Sequence, residues 1–215
     1  MEKENKGFLN RIKWIYKLTK HGLFLQGVRN NIAKLGIDIM PYYYFICTKE
    51  RAIPQEIRGD ELDLKFAIFD ESDMMVIKSS ILGLDQKDFL ADLNNGDVCI
   101  GLKENDEIVA YALIRRKSFY FRKRLFQLTE EDIYIHSLYV FNKYRGKNIS
   151  AYMKYHRFAL FEKEGIKYHH AITEYFNKSA LKIQYKVNAK TIALYLSIIL
   201  FKRWTLNFTI KTYDS

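Results

Sequence analysis

The chain has 215 residues, 48% of them hydrophobic and 15% aromatic, which is enough to bury a full core and excludes an intrinsically disordered protein. A net charge of +10 points to an anionic partner: phosphate, a membrane surface or nucleic acid. Cys47 and Cys99 stand alone, with no CxxC or Cys/His cluster, so neither a disulfide framework nor a metal site is expected, and a reducing cytoplasm is the compartment that suits them.

The charge is unevenly placed. Residues 1–58 carry eleven Lys and Arg against five Asp and Glu, and no acid occurs between Lys6 and Lys34. The opening MEKENKGFLN mixes acids with lysines and lacks the form of a signal peptide. Phe8, Ile12, Ile15 and Leu18, then Phe24, Val28, Ile32 and Leu35, recur at helical spacing. Residues 8–35 therefore read as two short amphipathic helices parted by His21-Gly22. Such a lysine-rich pair either packs its apolar stripe on the parent domain or lies on an anionic membrane. IMPYYYFIC (39–47) reads as a strand or an extended docking segment, and Pro54 and Gly59 bracket a linker. The expected division is an N-terminal helical extension over 1–58 and a single domain over 59–215.

From residue 61 the rhythm changes. LDLKFAIF (62–69) alternates as a strand, and ESDMMVIKSSIL follows as a helix with acids and Ser72 at its start. QKDFLADL (86–93) is a shorter helix stopped by Asn94-Asn95-Gly96. DVCIGLK (97–103) and EIVAYALIRR (107–116) are strands joined by a turn at ENDE. Residues 117–130 read as a long hairpin extension or loop, with Phe119 and Phe121 on one face and Tyr120 on the other. The basic, aromatic run RRKSFYFRKRLF (115–126) is either a flap favouring acidic acceptors or a hairpin packed on its own aromatics. IYIHSLYV (133–140) is apolar nearly throughout, as a central strand is. A helix over 146–164 ends at Gly165; a strand (166–173), a helix (177–187) and two strands (190–201, 204–213) follow. IALYLSIILF (192–201) is too short to cross a bilayer as a helix.

The turn after the central strand reads Arg145-Gly146-Lys147-Asn148-Ile149-Ser150. A helix start carries free N–H groups and a partial positive charge, and so attracts anions. Gly146 lets the backbone approach a ligand closely. Arg145 and Lys147 add charge, Arg145 with a fork that fits phosphate oxygens, and Ser150 adds a hydroxyl. The alternative is a solvated basic turn that merely opens a helix.

LYVFNKYRGKNIS (138–150) resembles the signature of the GNAT superfamily, the GCN5-related N-acetyltransferases. There a central strand leads to Gln/Arg-x-x-Gly-x-Gly/Ala at the head of a helix, and the order of elements from 61 to 213 is similar too. The resemblance implies an α/β (α+β) fold with a mixed central sheet of about six to seven strands flanked by helices. It implies acetyl-CoA as cosubstrate and no metal. Arg145, Gly146, Lys147, Asn148, Ile149 and Ser150 would hold the pyrophosphate, and Leu138, Tyr139 and Val140 would offer backbone groups to the pantetheine arm and thioester. Asn148 departs from the family's glycine, and Ser150 keeps the last position small.

NKSALKIQYKVNAK (177–190) is similar to the family's Asn…Tyr…Gly-Phe helix. Asn177 matches the asparagine that contacts the coenzyme. Gln184 stands where the family often has a tyrosine that protonates the leaving thiolate. Tyr185 lies one residue on, about 100° further round the helix, and Asn188-Ala189 replaces Gly-Phe.

The acceptor amine must lose a proton before or as it attacks. His136, two residues before Leu138, stands where the family often places a glutamate, and it is either the base or a packed strand histidine. Glu174, at the end of the next strand, is the other candidate. His169 and His170 alternate, so at most one faces the cleft. With neither cysteine in the motif region, transfer is expected to be direct. The implied partner is a small-molecule amine, first an amino sugar or its nucleotide-linked form in surface-polysaccharide synthesis. A protein or peptide amine acceptor and a catalytically impaired coenzyme A-binding module are the alternatives. No nucleic-acid partner is expected, for lack of a reading motif. The expected location is the cytoplasm, with peripheral membrane contact through residues 8–35.

Overall fold

The computed structural model describes residues 24–59, 62–81 and 89–213. The first of the two helices expected over 8–35 lies outside these. The second is α1 (Phe24–Lys34), stopped at Gly36. It is followed by β1 (Ile37–Cys47), β2 (Lys65–Phe69), α2 (Glu71–Ser80), α3 (Phe89–Asn94), β3 (Val98–Glu104) and β4 (Glu107–Arg115). Then come β5 (Phe119–Phe121), β6 (Arg124–Phe126), β7 (Asp132–Val140), α4 (Ile149–Phe161), β8 (Tyr168–Glu174), α5 (Lys178–Lys186), β9 (Lys190–Leu200) and β10 (Trp204–Thr212).

One eight-stranded sheet runs in the order β10-β9-β1-β8-β7-β4-β3-β2. Its neighbours are antiparallel except β7 and β8. α4 and α5 cover one face, where Phe158 and Leu181 pack on Phe45 and Ala171. The opposite face carries the β5–β6 hairpin, so residues 119–126 form a true hairpin and not a loop. Its Phe119 stacks on Tyr134 with ring centroids 4.0 Å apart, and Phe126 packs against Tyr44. Met74 and Ile77 of α2 pack with Cys99, Tyr111 and Leu113.

Two sequence expectations change here. The sheet has one strand more than expected because 37–47 is an interior strand: Tyr43 pairs with Thr173 on one side and Leu194 on the other. Both faces of β1 are covered, Tyr42 and Tyr44 by the hairpin and Phe45 and Cys47 by the helices, which explains its near-continuous apolar run. Pro41 is tolerated because pairing with β8 begins only at Tyr42. Residues 37–47 thus share a sheet with residues 65–212, and the expected boundary at 58/59 falls inside one structural unit.

The parallel pair β7–β8 positions the site. Its register runs from Asp132↔Tyr168 to Ile135↔Ala171 and stops, although β7 continues to Val140 and β8 to Glu174. Beyond Ile135 the strands part, leaving a slot in the sheet. On the other edge of β7, pairing with β4 shifts register between Tyr111 and Leu113. The extra residue there falls at Ser137, whose φ of +53° marks a bulge.

Candidate active site

The turn at the top of the slot is open. Arg145 and Gly146 are exposed, and Lys147, Asn148 and Ser150 partly so. Ile149 turns its side chain into the core and can offer a ligand only its amide. A 3₁₀ turn over Asn142–Tyr144 leads from β7, and Asn148, at φ +68°, is the residue before α4. Among the described residues, the amides of Gly146, Asn148, Ile149 and Ser150 have no hydrogen-bond partner. Gly146 has φ +88°, and a Cβ there would meet nothing within 4 Å. Unpartnered amides beside free space at a helix start fit a diphosphate.

The side chain of Asn148 stays out of that space. Its Nδ2 donates to the Glu56 carbonyl at 2.6 Å, and its Oδ1 accepts from Lys186. The Arg58 N–H donates to the Lys147 carbonyl at 2.9 Å, so residues 52–58 brace the turn from outside. Arg145 folds back over β7: its Nε donates to the Val140 carbonyl at 3.0 Å, and its guanidinium lies 5.1 Å from the Tyr139 ring centroid. The Phe141 N–H donates to Val109 on the β4 side. By strand alternation, the main-chain groups of Leu138 and Val140 therefore face the slot. Those of Tyr139, paired with Tyr111, face β4.

On the hairpin face of the slot lies His136, between β4 and the bulge. Its Nε2 donates to Asp97 Oδ2 at 3.2 Å, and Ser137 Oγ lies 3.2 Å from Nδ1. A carboxylate at Nε2 assigns the ring proton there and leaves Nδ1 as the basic nitrogen, accepting from the Ser137 hydroxyl. Asp97 is itself clamped by Arg115, whose Nε and Nη2 donate to it at 3.1 and 2.7 Å. Burial pushes the Asp97 carboxyl up, but the bonds from His136 and Arg115 outweigh it and leave it below the ordinary value. Asp97 thus stays ionised beside the ring.

His136 opens into a cavity of about 640 Å³ lined by Ala91, Asp92, Leu113, Arg115, Phe119, Tyr120, Phe121, Tyr134 and Ser137. The hairpin forms one wall, with Tyr120 71% exposed and Phe119 buried under it. The tip of the hairpin is held by Arg122, which donates to Asp38 Oδ2 at 2.7 Å. Arg122 and Lys123 both have positive φ, a turn that favours Asn-Gly, so this ion pair helps to hold an unfavourable turn.

The other candidates are placed as follows. Glu174 faces the same side as His136 but is engaged by Arg29 of α1 at 3.1 Å, and Arg29 also binds Asp38. Asn177 caps α5, its Oδ1 accepting from the Ala180 N–H at 3.0 Å. Gln184 is buried on the helix-covered side, donating to Thr173 Oγ1 at 2.9 Å and accepting from Lys154. Tyr185 points away: it is 53% exposed and meets Phe45 edge-on at 5.8 Å. Tyr185→Phe is therefore expected to leave kcat within about twofold of wild type in a steady-state assay. His169 packs on Phe158 and accepts at Nδ1 from Arg157, and His170 binds Asp132 and Tyr44; neither lines the slot.

Sequence reading missed Asp97, Thr173 and Lys154. Nothing local marks Asp97, whose role arises across three strands. Lys154 did leave a signal: with Arg157 it interrupts the otherwise apolar helical stripe of Ala151, Phe158 and Phe161, and that stripe is buried.

The sequence model of the Acetyltransferase (GNAT) family matches residues 66–195. A search of curated proteins returns no match. Among solved structures, the fold is similar to a GCN5-related N-acetyltransferase from Kribbella flavida at TM-score 0.50 and 12% identity, over 79% of this chain and 62% of that one. It is similar to a tandem GNAT protein from the clavulanic acid biosynthesis pathway at 0.54 and 9%, over 85% and 58%. A GCN5-related glucosamine N-acetyltransferase region of a fungal multi-domain β-N-acetylglucosaminidase aligns at 0.54 and 14%, over 85% and 23%. The chain spans less than two thirds of the length of each.

Proposed function

We propose that this chain, which belongs to the Acetyltransferase (GNAT) family, transfers an acetyl group from acetyl-CoA to the primary amine of a small molecule. The observation that carries this reading is one slot served from two ends. Unpartnered amides and a Cβ-free space lie at its top, and His136, backed by Asp97, lies on its hairpin face. The amides of Gly146 to Ser150 would hold the diphosphate, and the slot-facing backbone of Leu138 and Val140 would align the pantetheine arm. Acetyl-CoA bound in this way supplies the thioester carbonyl.

The chain's own work is then positioning and proton transfer. His136 Nδ1 takes the proton from the amine as nitrogen attacks, and Asp97 stabilises the resulting imidazolium. For Nδ1 to act, the Ser137 hydroxyl swings aside or relays the proton. The cavity beside His136 receives the acceptor. Its aromatic walls, Tyr120, Phe121 and Tyr134, suit the C–H face of a pyranose, and Asp92 can accept from hydroxyls. This favours an amino sugar, free or nucleotide-linked, as the acceptor, and glucosamine is named for one of the similar structures. The cytoplasm, where acetyl-CoA is made, is the proposed compartment.

An acceptor panel tests the reading. Purified protein is given acetyl-CoA with glucosamine, a nucleotide-linked amino sugar, or a lysine-containing peptide, and thiol release is followed. Release dependent on an amino sugar is the expected result. Release only with the peptide would move the acceptor to proteins. Calorimetric binding of acetyl-CoA without release on any amine would make the chain a coenzyme-binding module.

A further inference from the structure

The helix-covered side of the slot holds a polar group that the steps above do not use. Thr173 stands on β8 two residues past Ala171, where pairing with β7 ends. Its hydroxyl accepts from Gln184 of α5, and Gln184 accepts in turn from Lys154 of α4. Lys154 and Gln184 are each 5% exposed. Three elements thus deliver one ammonium group to the flank of the parted strands, opposite the face that holds His136. Lys154 also lies one helical turn beyond Ser150 on the helix whose start forms the diphosphate turn.

Lys154 has no counter-ion for its protonated form. Among the described residues, no carboxylate pairs with Lys154 or with the equally buried Arg157. A buried charge without a partner is destabilising, and a network that holds it in place without neutralising it is suited to an anion that arrives during turnover. Acyl transfer creates one such anion, the departing thiolate. The inference rests on the acyl transfer proposed above.

We propose that Lys154, oriented by Gln184 and Thr173, protonates the sulfur of coenzyme A as it leaves. The C–N bond forms and the C–S bond breaks. The electron pair of the broken bond stays on sulfur, which takes a proton from the Lys154 ammonium, while the amine proton goes to His136. Product release lets His136 lose its proton to solvent and Lys154 regain one. The charged and titratable groups around Lys154 are Arg157 on its own helix, His169 on β8 and Cys47 on β1; α5 contributes only the neutral Gln184. Burial, and then the positive charge of Arg157, hold Lys154 well below the ordinary lysine value, so it gives up its proton more readily than an exposed lysine. Because the acid form is the active one, kcat falls as pH rises through that lowered value.

The test is Lys154→Met, which fills the same volume without charge. With the best amine from the panel, kcat should drop roughly 10²-fold, KM for acetyl-CoA should stay within about threefold, and the melting temperature should not fall, since an apolar residue replaces an unpaired charge. The alkaline fall of the kcat–pH profile should vanish. Thr173→Val, which removes only the hydroxyl that Gln184 donates to, should lower kcat roughly tenfold and shift the alkaline limb, and it decides the matter if Lys154→Met does not fold. Wild-type kcat or an unchanged alkaline limb in the variant that folds overturns the role of Lys154 alone. A wild-type protein that releases no thiol with any amine overturns both this role and the acyltransferase reading.

Discussion

Replacing His136 with alanine is expected to lower kcat by roughly 10²–10⁴-fold, the usual worth of a positioned general base, while KM for acetyl-CoA changes by no more than a few-fold. The split follows from position. His136 faces the acceptor cavity on the hairpin side, whereas the amides that would hold the coenzyme lie past the end of β7 in the turn to α4. Steady-state kinetics with both substrates varied checks it. The loss should be milder where the amine is already largely deprotonated, so a weakly basic amine should partly restore the variant. Asp97→Asn should give a smaller loss in the same direction, because the amide leaves the ring in place but no longer offers the charge that stabilises an imidazolium. Wild-type kcat in His136→Ala would reduce the histidine to a packed residue of the central strand.

The second large effect is expected at Gly146. Gly146→Ala should raise the Kd for acetyl-CoA by roughly 10-fold or more, measured by calorimetry, and Gly146→Asp should abolish binding. A positive φ costs a non-glycine residue about 1–2 kcal/mol. In the free protein that is the whole cost, since a Cβ at Gly146 would meet nothing within 4 Å. Any loss of affinity in the folded variant would therefore show that the open space is filled when the ligand binds. Aspartate adds a negative charge where the diphosphate is proposed to sit. Lowered stability with an unchanged Kd would mean that the turn serves only to start α4.

Much of the frame was legible from local pattern. The apolar run of β7, the hairpin through Asn105-Asp106 and the stop of α4 near Gly165 each announce themselves within a few residues, because turn chemistry and hydrophobic period are local. The turn at Arg145–Ser150 was legible for the same reason. The position of β1 was not. Its sequence reads as a strand or an extended docking segment and does not say which strands flank it, since an interior strand looks the same wherever it inserts. Tyr185 is a failure of angle: one step along a helix moves a side chain to another face, and the burial of Gln184 with Tyr185 exposed decides which of the two turns inward. Asp97 reaches His136 only because β3, β4 and β7 lie side by side, with Val98 opposite Ile114 and Leu113 opposite His136. No spacing in the chain encodes that alignment.

The placing of β1 also sets an order of events during synthesis. Tyr44 bonds into the sheet opposite Ile172 and Ala193, so β1 leaves the ribosome more than a hundred residues before the strands that flank it. Until β8 emerges the nascent protein carries an aromatic ribbon with two open edges, and one edge stays open until β9 follows, a hazard for misassociation. Closure over so long a loop is slow, and the last hairpin, β9–β10, reaches the rest of the sheet only through β1.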